Sequence, residues 1–357
     1  MYSIGDKIRV TIFGQSHAEA IGTVIDGLPA GMEINMDKIS RFMQRRMPGK
    51  NRYSTARKES DFPEIISGVV NGKTCGAPVC AVIKNSDTKS GDYDNLRYVP
   101  RPGHADYAAY MKYGGNNDIR GGGQFSGRMT APLCFAGAVC MQLLEEKGIS
   151  IGAHIERIHG VCDERFDAVK VSAEQLKIIS GKEFPVISDE ISEKMKAEIE
   201  KARMDCDSVG GIIECAVVGL EPGAGGALFS GMEGAISRAI FAIPAVKGIE
   251  FGAGFEASEM YGSENNDSFY FDGDTVKTTA NNHGGILGGI SSGMPVIFRA
   301  AIKPTPSIAK EQQSVNLRTK TAEMLTVKGR HDPCIVPRAV PCVEAAAAIA
   351  IINILGE

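Results

Sequence analysis

The chain has 357 residues, 43% of them hydrophobic and 23% charged, and its formal net charge at pH 7 is -4. This length and composition are those of a globular protein with a sizeable core, which excludes an intrinsically disordered chain. The negative net charge argues against a general nucleic-acid-binding protein, because such a protein neutralises phosphates with an excess of lysine and arginine.

The apolar periodicity of the first half predicts strands and helices in an irregular order. The strands are expected at 7–13, 22–25, 65–70 and 78–83, and the helices at 37–46 and 131–147. Asn71-Gly72 is expected to form a hairpin-type turn between the last two strands.

A charged helical segment at 173–203 follows, which could link two domains. After it, the second half again mixes strands and helices in an irregular order. Strands are expected at 210–218, 249–255 and 295–302, and helices at 231–241 and 340–355. Because strands and helices mix without strict βαβ alternation, the order favours α+β layers over a doubly wound parallel sheet. We therefore expect residues 1–357 to form one domain with two similar α+β halves.

The cysteines and the apolar segments bear on the compartment. The nine cysteines are scattered, without a C-x-x-C motif or a Cys/His cluster at metal-ligand spacing, and predict buried or inert thiols in a reducing compartment. The N-terminal segment MYSIGDKIRVTIFG has no signal-peptide pattern, so we expect a cytoplasmic protein. The apolar run 345–355 is about half of the roughly 20 residues that a membrane span needs, and predicts a buried or subunit-contacting helix.

Three segments combine cations with backbone that lacks side chains. The stretch Arg120-Gly-Gly-Gly-Gln-Phe-Ser-Gly-Arg128 places glycines between two guanidinium groups, and RPGHAD at 101–106 adds an imidazole beside another. Residues 41–58 carry seven basic residues and no acidic one. Together these segments predict a site for a small, multiply charged anion.

Within the basic run, Arg45, Arg46 and Arg52 flank Pro48-Gly49. A sharp turn there would bring three guanidinium groups round one volume, which suits bidentate capture of phosphate or carboxylate. The alternative is a solvated helix end and loop, as in most basic runs.

His17 and His104 each lie in a short loop among small residues. An imidazole with a pKa near neutrality can donate a proton to a leaving phosphate, and nearby arginines would shift that pKa. A structural role is the alternative for either histidine alone. No third partner at suitable spacing indicates metal ligation.

Three later segments suit ligand binding as well as turns. Residues 281–293 hold two asparagines and five glycines, whose backbone can approach a flat ring or a phosphate, or form a turn before the next strand. Lys303-Pro-Thr-Pro-Ser307 suits a phosphate. Arg330-His-Asp-Pro333 places a carboxylate beside a cation, although such pairs are usually weak surface contacts.

The glycine-rich segments do not match nucleotide fingerprints. Residues 67–74 end like a P-loop but begin with serine, and Gly252-Ala-Gly254 lacks the third glycine of a dinucleotide motif. We therefore predict neither a P-loop nor a Rossmann site for NAD(P)H.

In chain order, these segments resemble the chorismate synthase family over essentially the whole length. The matching segments are FGQSHAEAIG (13–22), RRMPG (45–49) with Arg52 downstream, RPGHADYAAYMKYG (101–114), RGGGQFSGRMTAP (120–132), GIEFGAGF (248–255), NNHGGILGGISSGMP (281–295), KPTPSI (303–308) and RHDP (330–333). Several are long and correctly spaced, so the resemblance is specific.

The resemblance implies an α+β fold, a layered β-α-β sandwich of mixed or antiparallel sheets with helices between them, and a homotetramer. It implies a lyase that converts 5-enolpyruvylshikimate 3-phosphate to chorismate and phosphate, using reduced FMN (FMNH2) without net redox change. NAD(P)H would act only indirectly, to reduce FMN, either on this protein or on a separate flavin reductase. We expect neither nucleic acid nor membrane as a partner.

The resemblance also assigns residues. His17 would protonate the departing phosphate, His104 would protonate or polarise the reduced flavin, Ser16 and Ser126 would relay protons, and Asp332 would act as a base near the flavin N5. The substrate-binding cations would be Arg46, Arg52, Arg101 and Arg128. The FMN-binding residues would be Gln124, Phe125, Ser126, Ala245, Gly288, Lys303, Pro304, Thr305, Pro306, Ser307 and Arg330. No metal is implied.

The chain departs from the commoner family pattern at Gln15, Ala18, Gly127, Met129 and Pro244. None of these removes a proposed acid, base or phosphate-binding cation.

Two other functions remain as alternatives. An RNA- or anion-binding module would need interleaved aromatic residues and a positive charge, but the chain has no tryptophan and 6% aromatics. A different flavin- or phosphate-binding lyase on the same scaffold would share the site. Replacing His17 or His104 by alanine separates catalysis from simple binding.

Overall fold

The computed structural model describes residues 2–49, 61–85, 96–327 and 332–356. In these ranges, two five-stranded sheets stand on either side of a layer of helices. Arg52 and Arg330, which were predicted to bind ligands, lie outside the described residues.

The elements of the described ranges follow in chain order. The α-helices are α1 Met36–Arg46, α2 Asp106–Tyr113, α3 Thr130–Glu145, α4 Ala173–Ser180, α5 Asp189–Met204, α6 Met232–Ile240, α7 Gly262–Asn265 and α8 Val336–Ile354. The strands are β1 Ser3–Ile4, β2 Arg9–Gly14, β3 Ala20–Asp26, β4 Glu64–Ser67, β5 Val69–Val70, β6 Lys73–Thr74, β7 Val79–Lys84, β8 Ser150–Ile158, β9 Val161–Cys162, β10 Gly211–Val218, β11 Val246–Phe251, β12 Phe269–Asp272, β13 Thr275–Thr278, β14 Ile286–Leu287, β15 Ile290–Ser291, β16 Val296–Ile302, β17 Gln312–Asn316 and β18 Thr321–Leu325. Short 3-10 helices span Arg120–Phe125, Gly127–Met129, Leu228–Ser230 and Gly254–Glu259.

Each half of the chain builds one sheet. The first has the strand order β1-β2-β3-β7-β4 and the second β11-β16-β10-β8-β9, and their neighbouring strands pair antiparallel. Side chains alternate across the second sheet: Cys215 and Val217 belong to the main core, whereas Ala216 packs with α4 residues on the other face. The predicted α+β class is confirmed.

Helices α3 and α8 form the centre of the middle layer. They pack against each other, α3 contacts β3 and β7 of the first sheet, and α8 contacts β8 and β10 of the second. Nearly every residue of both helices is buried, because each helix is enclosed on all sides and its sequence is accordingly apolar all round. This arrangement is the expected β-α-β sandwich with helices between the sheets.

Helix α8 is the one helix in the described ranges that is long and apolar enough to cross a membrane, and 83% of that stretch is buried inside the protein. The predicted buried helix is therefore confirmed, but its predicted start at 340 is wrong. Pro337 lies in the first turn, where a missing N–H costs nothing, and Pro341 inside the helix removes a single hydrogen bond.

Three other predicted elements are corrected. Residues 173–203 do not form a linker: α4 and α5 are separate helices, interrupted around Pro185, and both contact β8. The predicted strand 249–255 ends at Phe251 and gives way to a 3-10 turn. The Asn71-Gly72 turn joins the short strands β5 and β6, while β4 pairs separately with β7.

A close approach of α3 and α8 predicts a stability effect. A Cβ on Gly137 would lie 2.2 Å from Ala345 Cβ and 2.3 Å from its Cα, so Gly137→Ala must push the two helices apart. We expect the free energy of unfolding in urea to fall by about 1–3 kcal/mol, the usual cost of overpacking a core. Gly234→Ala on the exposed side of α6, where a Cβ meets nothing within 4 Å, is the control and should not destabilise. Equal stability of both variants would contradict the close packing.

Candidate active site

Residues from both halves of the chain line a cavity of about 590 Å³. Its walls come mainly from segments 101–105, 121–130, 241–247 and 303–307, together with residues near the start of α8. Both the size and the mixture of apolar and charged walls are typical of a small-molecule site.

Most of the predicted site residues converge here. Those that line the cavity are His17, His104, Asp332, Ser126, Arg46, Arg101, Arg128, Gln124, Phe125, Ala245, Lys303, Thr305, Pro306 and Ser307. Ser16 lies directly behind the wall, beside Gly121. Pro304 does not line the cavity, and Gly288 lies in the turn between β14 and β15, also away from it. Arg52 and Arg330 are outside the described residues, so their roles stay predictions.

The triple glycine lies against both predicted acids. Gly121, Gly122 and Gly123 all have positive φ angles, of 59°, 83° and 54°. A Cβ on Gly121 would lie 2.3 Å from His17 Cε1, and one on Gly122 would lie 3.2 Å from His104 Nε2. The loop therefore needs glycine for its backbone angles and to leave room for the two imidazoles.

A buried carboxylate joins two of the predicted substrate arginines. Asp61 accepts a hydrogen bond from Arg46 Nη1 and another from Arg128 Nη1. Arg46 Nε also donates to Thr130 Oγ1 at 3.0 Å, and Arg128 Nε donates to Asn85 Oδ1 at 3.0 Å. Burial alone would raise the pKa of Asp61, but the two guanidinium groups hold it below its usual value.

A second cluster contains the other described substrate arginine. Arg101 donates to both carboxylate oxygens of Asp106, at 2.7 and 2.8 Å, and to Ser307 Oγ at 2.9 Å. His104 Nδ1 lies 2.5 Å from Asp106 Oδ1. Burial lowers the pKa of His104, and the charge of Arg101 lowers it further, although Asp106 opposes both effects. Asp106 thus orients the imidazole and leaves Nε2 towards the glycine loop.

We predict that Asp106→Asn lowers the pKa of His104 further. The variant removes the one group that favours the imidazolium, while the burial and the positive charge of Arg101 remain. The check is an NMR titration of the histidine Cε1–H signals, with the His104 signal assigned from a His104→Ala variant. The signal of the exposed His159 is the internal control. An unchanged or raised His104 pKa would contradict the assigned partner.

Lys303 and Thr305 form a polar wall of the cavity. Lys303 Nζ donates to the carbonyl of Gly103, and burial together with the nearby Lys247 lowers the pKa of Lys303. Thr305 Oγ1 is buried without a hydrogen-bond partner among the described residues. An unsatisfied buried hydroxyl beside cations suits an anionic or polar ligand group.

Residues 241–246 form an apolar wall of the cavity. Of this segment, only Ala245 was predicted to bind FMN. Ala245 has a φ of 75°, an unusual value for a residue with a side chain, and its carbonyl accepts a hydrogen bond from Lys303 N at 2.9 Å. Pro244, one of the departures from the family pattern, is part of this wall. With Phe125 nearby, the wall suits the face of a flat ring.

The start of α8 adds a third cluster of charged side chains to the cavity. Asp332 Oδ2 pairs with Arg338 Nη1 at 2.5 Å, and Arg338 Nε donates to the carbonyl of Arg46 at 2.9 Å. Cys342, one turn further along, also lines the cavity, with its sulfur 3.8 Å from that of Cys134. The Arg338 guanidinium thus ties Asp332 to the arginine cluster.

All nine cysteines are free thiols. The buried ones are Cys134, Cys140, Cys215, Cys334 and Cys342, whereas Cys75, Cys162 and Cys206 are exposed and Cys80 is partly exposed. The prediction of buried or inert thiols is confirmed for the five buried cysteines, and for the other four inertness stays a prediction.

The prediction that the guanidinium groups of Arg45, Arg46 and Arg52 surround one volume is wrong for Arg45. Arg45 forms a bidentate pair with the buried Glu344 at 2.5 and 2.9 Å and lines a second cavity of about 1530 Å³ between α1, α4 and α8. Consecutive residues of a helix point about 100° apart, so Arg45 and Arg46 face different volumes. No described residue of the predicted catalytic, substrate or FMN set lines that second cavity.

Sequence reasoning missed Asp61, Asp106 and Arg338. Asp106 stood inside the quoted RPGHAD segment, where a carboxylate two residues after a histidine was the available signal. No local signal in the sequence marked Asp61 or Arg338, because their partners are distant in the chain.

Comparison with known proteins identifies the family of the chain. A family model described as chorismate synthase matches residues 8–355. The chorismate synthase of Dehalococcoides mccartyi is 46% identical over 354 residues, covering 99% of this chain and 96% of the relative. That of Thermococcus kodakarensis is 45% identical over 348 residues, covering 97% and 95%. A crystal structure of a chorismate synthase superposes with a TM-score of 0.77 at 28% identity, covering 99% of this chain and 92% of that one. The chain therefore belongs to the chorismate synthase family.

Proposed function

We propose that the cavity binds reduced FMN and 5-enolpyruvylshikimate 3-phosphate together, and that His17 and His104 act there as proton donors. Family membership provides the overall reaction: the chain is a carbon–oxygen lyase that converts this substrate to chorismate and phosphate, the last common step of aromatic amino-acid biosynthesis. The assignment of residues to steps is our proposal.

One observation carries the assignment: two histidines and four arginines line one cavity beside the triple glycine of residues 121–123, which has no side chains. Phosphate leaves with negative charge, which fixed guanidinium groups stabilise without reorganisation. The two clusters, around Asp61 and Asp106, hold three of those four cations in separate places, as a substrate with a phosphate and carboxylates requires.

The residues present fit FMN. The apolar wall 241–246 suits a flat ring, and the polar wall with Lys303 and the unsatisfied Thr305 hydroxyl suits a phosphate or a sugar hydroxyl. Phe125, Ser307 and Ala245 would complete this part of the site. When bound, reduced FMN would lend an electron to the substrate and take it back, so that no net redox change results.

The chain's own side chains would handle the protons and the charge. His17 would protonate the departing phosphate, and His104, whose Nδ1 contacts Asp106, would polarise the reduced flavin or take up a proton at Nε2 and pass it on. Asp332 would accept a proton, since Arg338 keeps its carboxylate in place. Ser16 Oγ, buried without a partner among the described residues, and Ser126 would relay protons.

We also propose a cytoplasmic homotetramer that obtains its reduced flavin through NAD(P)H, either itself or from a separate reductase. Exposed aromatic side chains in the second half support self-association, notably Phe229, Phe255 and Phe271. Light scattering of the purified protein tests the tetramer.

The test of function is an anaerobic assay with FMN, dithionite and 5-enolpyruvylshikimate 3-phosphate. Chorismate absorbance and released phosphate should appear in equal amounts, and neither should appear with oxidised FMN alone. FMN binding measured by flavin fluorescence, followed by no product, would contradict the proposed reaction while leaving the flavin site intact.

A further inference from the structure

The carboxylate of Asp61 stands behind the arginines of the cavity rather than in it. Arg46 and Arg128 both line the cavity, and Asp61 does not. Asp61 is 2% exposed, and its two oxygens each accept from a different guanidinium. The carboxylate therefore spans the two cations from the protein side.

The backbone brings Asp61 close to the first sheet. Its φ is 45°, a left-handed value that is uncommon for a residue with a side chain. Three residues later β4 begins, and β4 is hydrogen-bonded to β7 in the first sheet. The carboxylate therefore lies three residues before an edge strand of the first sheet, where it contacts both guanidinium groups.

The charge of this cluster decides how it treats an anion. Among the described residues of this cluster, two guanidinium groups and one carboxylate carry one net positive charge, and the neighbouring Arg338–Asp332 pair adds none. Without the Asp61 carboxylate these residues would carry two. All three side chains are buried, so solvent screens their interactions weakly. A cluster with two positive charges would hold a phosphate group tightly both before and after its bond to carbon breaks.

We propose that Asp61 is a positioning residue that fixes the two guanidinium groups and lowers the positive charge at the phosphate subsite by one, so that product phosphate can leave. This inference rests on the proposed function, because it takes the Arg46–Arg128 pair to be the place where phosphate is bound. It predicts that the carboxylate weakens anion binding in order to permit turnover.

The test compares inorganic phosphate binding to the wild type and to Asp61→Asn by isothermal titration calorimetry. Asparagine keeps the size of the side chain and removes its charge. We expect phosphate to bind about tenfold tighter to the variant, with a steeper loss of affinity as salt increases. In the anaerobic assay, kcat should fall and added phosphate should inhibit more strongly, while KM does not rise.

Two further variants show where the phosphate binds and whether the effect is specific to Asp61. Arg46→Gln should abolish most phosphate binding, which locates the bound phosphate at this pair. Asp163→Asn removes another buried carboxylate, one that does not line the cavity, and should leave phosphate affinity unchanged. Unchanged or weaker phosphate binding by Asp61→Asn would overturn the proposal and leave Asp61 a structural residue.

A folding defect is also informative. If Asp61→Asn does not fold in plain buffer, inorganic phosphate in the refolding buffer should rescue it, because a ligand that neutralises the two cations stabilises the folded state by mass action. Failure of phosphate to rescue would overturn the proposal. Since phosphate binding is measured without turnover, a wild-type chain that binds phosphate but forms no chorismate would contradict the proposed function alone.

Discussion

Replacing His17 by alanine is expected to lower the turnover of 5-enolpyruvylshikimate 3-phosphate by roughly 10²-fold or more, the usual contribution of a positioned general acid. His17 is largely buried, lines the cavity and lies against the glycine loop, so its imidazole reaches a bound ligand but little bulk water. The measurement is the anaerobic rate of chorismate formation at saturating substrate. Flavin fluorescence should show that FMN still binds.

His159→Ala is the matched control. His159 lies at the end of β8, its side chain is 65% exposed, and its contact is with Glu198 on the surface. Its loss should leave the rate nearly unchanged. A small effect at both His17 and His104 would show that neither histidine is an acid catalyst, and the site would then act by binding and charge alone.

The parts of the site that could be predicted are those whose chemistry is local. The segments 101–106 and 120–128 each combine glycine or proline with cations inside a few residues, a composition that serves an anion better than a core. Both segments line the cavity, and His17 joins them. The family resemblance added residues such as Ala245, whose surroundings in the sequence carry no chemical signal.

The parts that could not be predicted depend on contacts between distant segments. Asp61 meets Arg128, 67 residues along the chain, and Arg338 meets the carbonyl of Arg46, 292 residues away. A carboxylate that neutralises a cation in the folded protein looks in the sequence like any surface acid. Arg45 illustrates the converse error, because its partner Glu344 turns it away from the predicted site.

The same distinction applies to the fold. The strands were predicted from their alternating apolar residues, and α3 and α8 from long apolar runs that suit an enclosed helix. Residues 173–203 were predicted to be helical, with a linker between domains as an alternative, because charged side chains dominate their sequence. Leu176 and Ile179 of α4 are nevertheless buried against the second sheet, and two such residues are too few to reveal a packing face.

Gly121→Ala is expected to reduce turnover about as strongly as loss of His17, by roughly 10²-fold, because a misplacement of about 1 Å can cost that much. A Cβ at this position would lie 2.4 Å from His17 Nδ1 and 2.6 Å from Ser16 Oγ, so the imidazole and the hydroxyl must both move. The φ of 59° adds a smaller backbone cost for any residue other than glycine.

Gly122→Ala and Gly160→Ala test whether the loss of rate becomes smaller as the added Cβ makes a weaker contact. A Cβ at Gly122 would lie 3.2 Å from His104 Nε2, a contact that a small rotation relieves, so its loss of rate should be smaller. A Cβ at Gly160 meets nothing within 4 Å, and the rate of that variant should be unchanged. Wild-type turnover in Gly121→Ala would mean that the placement of His17 beside this loop does not matter for the reaction. A loss of rate in the order Gly121, Gly122, Gly160, with FMN binding retained, would instead tie catalysis to the positions of the two imidazoles.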